Sequence, residues 1–174
     1  MNDRTPISLS KKQVDIPEDF IRHIDEIISH YPVSKRSASL MLLHAWQERF
    51  GYITQQAVEW IAEKLELQPI NIYELVTFYP MFRLEKYGNT HIRVCRTLPC
   101  ALAGAYELHE KLCKKTGAQG DPHGPLHSPD GEYTIEFVEC LAACASAPVL
   151  MVGDELVEKV TTDEQIESCL RKGK

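Results

Sequence analysis

With 174 residues, of which 44% are hydrophobic and 25% charged, the chain is long enough for one domain or two small ones and has an ordinary globular composition. Its net charge of −6 comes without any basic run, which excludes the electrostatic footprint of a nucleic-acid binder. The longest apolar stretch, roughly 141–152, falls short of the ~20 residues that a membrane-spanning helix needs, so membrane association is expected only through a partner.

No apolar leader follows Met1, and a reducing, cytoplasmic setting is expected. There, six cysteines point to metal binding or redox chemistry rather than to a disulfide framework. Residues 1–14 are polar and start no periodic pattern, which reads as a flexible tail. From Ile16-Pro17-Glu18, the residues Phe20, Ile21, Ile24, Ile27 and Ile28 recur at helical spacing, and Tyr31-Pro32 ends the pattern. A second helix is predicted from about Ser37 through Leu40, Leu43, Trp46 and Phe50 to a stop at Gly51. Thr54 caps a third, carrying Val58, Ile61, Ala62 and Leu65, and a fourth spans Ile70 to Tyr79. Each has one apolar stripe and the connections are short, so residues 15–88 are expected to form an antiparallel helical bundle with Trp46 and Trp60 as core anchors.

After Tyr87-Gly88-Asn89 the pattern changes to mixed α/β. Thr90 to Cys95 reads as a strand, Ala101 to about Lys115 as a helix, Gly117 to Gly131 as a surface loop, and Tyr133 to Val138 as a strand. Residues 148–152 and 155–157 read as a hairpin turning on Gly153-Asp154, and Thr161-x-x-Glu164 as a capping box that opens a final helix. The fold class is therefore α+β, a helical bundle followed by an α/β domain over 89–174.

Cys95 and Cys100 form a C-x4-C pair at the end of one predicted strand, and Cys140 and Cys144 a C-x3-C pair at the end of another. Neighbouring strands lie about 4.8 Å apart, so two loops leaving one sheet edge can bring four thiolates around a small site. Each iron of a [2Fe-2S] cluster takes two thiolates, which two pairs match in number. A helix starting near Ala101 would also point its positive end at Cys100. A four-cysteine structural zinc site stays open beside this reading, although small apolar residues follow the C-x3-C pair where a polar knuckle is usual. Cys113 and Cys169 lie beside apolar residues of predicted helices and are expected in the core, and His123 and His127 are expected in solvent. Glu136 and Glu139 lie close enough to the pairs that their charge is expected to lower a cluster's potential. No Gly-rich phosphate loop is present, so neither NADH nor FMN is expected to bind this chain directly.

Val94-Cys95-x4-Cys100 and Val138-Glu139-Cys140-Leu141-Ala142-Ala143-Cys144, followed by Ala147-Pro148-Val149, resemble the E-subunit family of NADH-quinone oxidoreductase, the small iron-sulfur partner in the NADH-oxidising arm of respiratory complex I. Lys35-Arg36-Ser37-Ala38, His44-x-x-Gln47-x-x-Phe50-Gly51-Tyr52-Ile53 and Val76-Thr77-Phe78-Tyr79-x-Met81-Phe82 are similar to it too, and the resemblance covers roughly residues 15–170. It implies a thioredoxin-like C-terminal domain with one [2Fe-2S] cluster on Cys95, Cys100, Cys140 and Cys144. It further implies electron exchange with a flavoprotein partner that carries NADH and FMN, in a complex peripheral to the inner membrane. The chain would then be an enzyme subunit without catalysis of its own. Related small subunits serve NAD-linked hydrogenases and formate dehydrogenases, and a free-standing ferredoxin is the simpler alternative. Ala142 departs from the family pattern, which commonly has glycine there.

Overall fold

The computed structural model describes residues 9–121 and 124–172, which fall into two compact units, Met1–Lys86 and Tyr87–Lys174. The first is helical. Helix α1 (Glu18–Ser29) follows Pro17 and buries Phe20 and Ile24. A 3-10 turn, Lys35–Ala38, leads into α2 (Ser39–Phe50), which ends where Gly51 takes a left-handed φ of 89°. Helix α3 (Gln55–Leu65) starts at Thr54, whose hydroxyl accepts the Ala57 N–H at 3.2 Å, and α4 (Pro69–Phe78) has proline in its first turn. Trp46, fully buried, is surrounded by Phe20, Phe50 and Trp60 at ring-centroid distances of 4.5–6.0 Å. Such a core accounts for the spacing of apolar residues along each helix.

The polar stretch before α1 is not loose throughout. Val14 exchanges two hydrogen bonds with the Gln56 side chain, at 2.8 and 2.9 Å, and the Gln55 N–H donates to Ser10 O at 3.0 Å. Leu9 and Val14 pack against the helical core, so residues 9–14 are tied to α3 by contacts that no local pattern announces. The first eight residues of the expected tail, like His123, lie outside the described residues.

The second unit is a six-stranded mixed sheet in the order β2-β3-β4-β1-β5-β6. Strand β1 (Thr90–Cys95) pairs parallel with β4 (Tyr133–Val138) and antiparallel with β5 (Leu150–Val152), which turns through Gly153 into β6 (Glu155–Val157). Between β1 and β4 the chain forms α5 (Leu98–Leu102) and α6 (Ala105–Thr116), the crossover that parallel neighbours require. Helix α7 (Asp163–Lys172) lies beside α6, with Lys111 on Asp163 at 3.1 Å and Lys115 on Glu167 at 2.9 Å. Ile92, Val94, Ile135, Leu150 and Val152 alternate onto the face that meets Leu108, Leu112, Ile166 and Cys169.

Three expectations change. The region 117–131 contributes two short strands, β2 (Gln119–Gly120) and β3 (Leu126–His127), because Leu126 pairs with Ile135 and joins the core while His127 Nδ1 meets Thr134 Oγ1 at 2.9 Å. Two-residue strands leave no alternation to read. The helix expected from Ala101 is two helices, since Gly104 at φ 95° breaks the run. The final capping box is Thr162 with Gln165, one residue later than expected: Gln165 Oε1 accepts the Thr161 and Thr162 N–H groups at 2.9 and 3.0 Å.

His109 on α6 stacks on Phe137, with centroids 3.9 Å apart, and burial holds its pKa below the ordinary 6.5. The folded chain thus binds fewer protons here than the unfolded chain. Stability from this site is fully present above pH 6.5 and is lost as pH falls below it, levelling off under the lowered folded value. Urea midpoints at pH 7.5 and 5.5 should drop less for His109→Phe than for the unaltered chain; equal drops would contradict the burial argument.

Candidate metal centre

Both cysteine pairs stand at one edge of the sheet. Cys95 is the last residue of β1 and is in register with Val138, the last residue of β4, so the loops that follow leave side by side. The Arg96 N–H continues the ladder to Val138 O at 3.0 Å, and the Cys95 N–H is held by Val149 O at 3.1 Å. From β1 the chain passes Thr97 into α5, where Cys100 is buried. From β4 it passes Cys140 and Ala142 to Cys144, which opens the 3-10 turn Cys144–Ser146. The outer end of a strand pair is where open α/β sheets place ligands, because the loops there diverge from fixed supports.

The pairs differ in environment. Cys95 and Cys100 are 1% and 0% exposed, while Cys140 and Cys144 are exposed and their sulfurs lie 3.7 Å apart. Burial pushes the Cys95 thiol up, but hydrogen bonds from the Thr97 hydroxyl and the Leu141 and Thr97 N–H groups outweigh it and hold the thiol below its usual value. Burial raises Cys100 despite the Val149 N–H, and the neighbouring sulfurs of Cys95 and Cys144 raise it further. The Ala142 N–H, 3.4 Å from Cys140 Sγ, lowers Cys140, whereas Cys144 is raised by Cys140 beside it. Each of the four thiols thus feels at least one of the other sulfurs. Among the described residues no three His, Cys, Asp or Glu side chains close around a single-ion position. The four thiols, as thiolates, are a donor set of the kind iron–sulfur clusters take.

Cys113 and Cys169 stand apart: Cys169 is buried in the core, and Cys113 packs against it with Sγ 3.7 Å from His109 Nδ1. Two local expectations are corrected. Cys100 lies inside the five-residue α5 rather than ahead of a helix, so the dipole argument gives way to the single Val149 N–H. Glu136 and Glu139 do not bring bare negative charge. Glu139 Oε1 pairs with the Arg96 guanidinium at 2.7 Å, and Glu136 Oε1 lies 2.7 Å from His91 Nε2. Cross-strand register produces those pairings, and the sequence order of the residues does not reveal them.

Ala142 takes a left-handed φ of 61°, the conformation glycine would adopt without strain, and this orientation lets its N–H meet Cys140. Thr97, the loop residue that contacts Cys95, is not among the residues that the sequence singles out. Its signal is a hydroxyl two residues beyond a strand-terminal cysteine, a spacing at which side chain and backbone meet locally.

The profile of the thioredoxin-like [2Fe-2S] ferredoxin family matches residues 24–174. The chain is 34% identical to the E subunit of NADH-quinone oxidoreductase from Rickettsia bellii over 97% of its own length and 95% of that protein. It is 34% identical to NADH-quinone oxidoreductase subunit 2 of Thermus thermophilus over 90% and 83%. Among solved structures, an NAD+-reducing [NiFe]-hydrogenase in the H2-reduced state shares the fold at a TM-score of 0.62 and 18% identity, covering 76% of this chain but only 22% of that one. By these likenesses, the chain belongs to the thioredoxin-like [2Fe-2S] ferredoxin family and, within it, to the E-subunit group of NADH-quinone oxidoreductase.

Proposed function

We propose that this chain carries one [2Fe-2S] cluster on Cys95, Cys100, Cys140 and Cys144 and exchanges electrons with the FMN of an NADH-oxidising flavoprotein partner. The observation that carries the reading is the convergence of two cysteine pairs at the shared β1/β4 edge, one pair buried and the other exposed. When bound, such a cluster supplies a one-electron couple. Cys95 and Cys100 would hold one iron, and Cys140 and Cys144 the other. The match to the [2Fe-2S] family supports this over a structural zinc site, which two cysteine pairs could also build. Burial of the first pair excludes water on the inner side, and exposure of the second leaves the outer side open to a partner. No residue of the chain has to move a proton, so it acts as a subunit of the oxidoreductase without catalysis of its own.

The surface beside the site supports docking there. Leu98 and Leu102 on α5, the helix that carries Cys100, and Tyr106 on α6 are 71%, 81% and 56% exposed. Large apolar side chains gathered beside a reactive site mark an interaction surface. In this reading residues 89–174 form the ferredoxin domain, residues 15–88 form a helical unit for further subunit contacts, and the complex places the chain at the inner membrane. The test mixes the iron-loaded chain with NADH, with and without the FMN-bearing partner. Reduction of the cluster signal only when both are present is expected; equal reduction by NADH alone, or none with the partner, would contradict the proposal.

A further inference from the structure

One side chain meets the sulfur of a ligand directly. Thr97 Oγ1 lies 3.3 Å from Cys95 Sγ. Thr97 also occupies the position just ahead of α5, where a threonine hydroxyl ordinarily caps the helix, yet it makes no capping hydrogen bond. The hydroxyl faces sulfur instead.

Among the described residues, the other donors at the four sulfurs, cysteine thiols apart, are backbone N–H groups of Thr97, Leu141, Ala142, Cys144 and Val149, fixed by the fold. Thr97 thus supplies a side-chain donor that one substitution can remove. A thiolate carries no proton, so against the Cys95 sulfur the hydroxyl must donate.

We propose that Thr97 is a positioning residue that holds the Cys95 sulfur and raises the reduction potential by donating a hydrogen bond to it. The inference rests on the cluster assignment made under the proposed function. Reduction adds negative charge that spreads onto the sulfurs, and a hydrogen bond to the more negative state is the stronger one, so the donor favours the reduced form.

Thr97→Val keeps the shape and removes the proton; Thr97→Ser keeps the proton. The experiment is a redox titration of the full-length chain and both variants, followed by EPR, with iron and acid-labile sulfide measured on each. Thr97→Val is expected to retain the cluster and lower the reduced-to-oxidised ratio at fixed ambient potential about fivefold to tenfold, where tenfold is 59 mV for a one-electron couple. Thr97→Ser is expected to titrate with the unaltered chain. In D2O, the coupling of an exchangeable proton to the reduced cluster should weaken in the valine variant alone. An unshifted valine variant, or a serine variant shifted equally, would overturn the proposal. Should the valine variant fail to hold iron, retention by the serine variant supports the hydroxyl, and loss by both overturns it. Absence of iron and sulfide from the unaltered chain after reconstitution would instead refute the cluster assignment itself.

Discussion

Alanine at any one of Cys95, Cys100, Cys140 or Cys144 is expected to reduce visible absorbance and the reduced-state EPR signal to background, whereas alanine at Cys113 or Cys169 leaves both intact. Each iron of a binuclear cluster takes two protein thiolates, so one missing sulfur opens a coordination position that alanine cannot fill. The contrast follows from placement. Four of the cysteines follow the adjacent ends of β1 and β4, while Cys113 and Cys169 are packed with Leu112 and Ile166 in the core. As cysteine behaves there as a small hydrophobe, its loss from the core is a matter of stability alone, on the order of 1 kcal/mol. Iron and sulfide assays on all six variants check this. Retention of a full cluster by Cys140→Ala, or its loss in Cys169→Ala, would show that the wrong residues have been assigned.

The second large effect concerns the partner. Leu98→Asp combined with Leu102→Asp is expected to weaken binding of the flavoprotein more than about a hundredfold. Burying a leucine contributes about 1.5–3 kcal/mol, so two of them account for about 3 kcal/mol or more, and each 1.4 kcal/mol is tenfold in affinity. Two carboxylates placed in a closing interface add a desolvation cost on top. Both leucines are exposed in the free chain, so the fold should be disturbed by no more than about 0.5 kcal/mol. Calorimetric titration of the partner, with a cluster spectrum of the variant as the control for folding, measures the difference. Unchanged affinity would remove α5 and α6 from the docking surface.

How far the sequence can be read depends on how local each signal is. Helices α1 to α3 are legible because their apolar spacing, Pro17, Thr54 and Gly51 all lie within the segments they organise. Strands β1 and β4 are legible for the same reason, and since both cysteine pairs sit at strand ends, a shared site follows once the strands are adjacent. What escapes depends on register and close approach. The pairing of Glu139 with Arg96, and of Glu136 with His91, joins residues more than forty positions apart, and it gives each carboxylate a partner, a guanidinium for Glu139 and an imidazole for Glu136. Strand β3 exists through Leu126 meeting Ile135 across the sheet. Helix α5 begins at Leu98, before Cys100, and the sequence Thr97-Leu98-Pro99 carries no periodicity from which to see it. Thr97 illustrates the limit best: its position ahead of α5 is that of a helix cap, yet its hydroxyl meets the Cys95 sulfur instead.

The most direct test of the electron-transfer reading is the stoichiometry and spin state of the reconstituted chain: iron and acid-labile sulfide assayed together with the visible spectrum and low-temperature EPR before and after dithionite. Two irons and two sulfides per chain, a red-brown colour and one paramagnetic signal that appears on reduction are expected for a [2Fe-2S] cluster on two cysteine pairs. A colourless protein that holds one zinc ion per chain and stays silent after anaerobic reconstitution would contradict that reading and leave the four cysteines as a structural clamp.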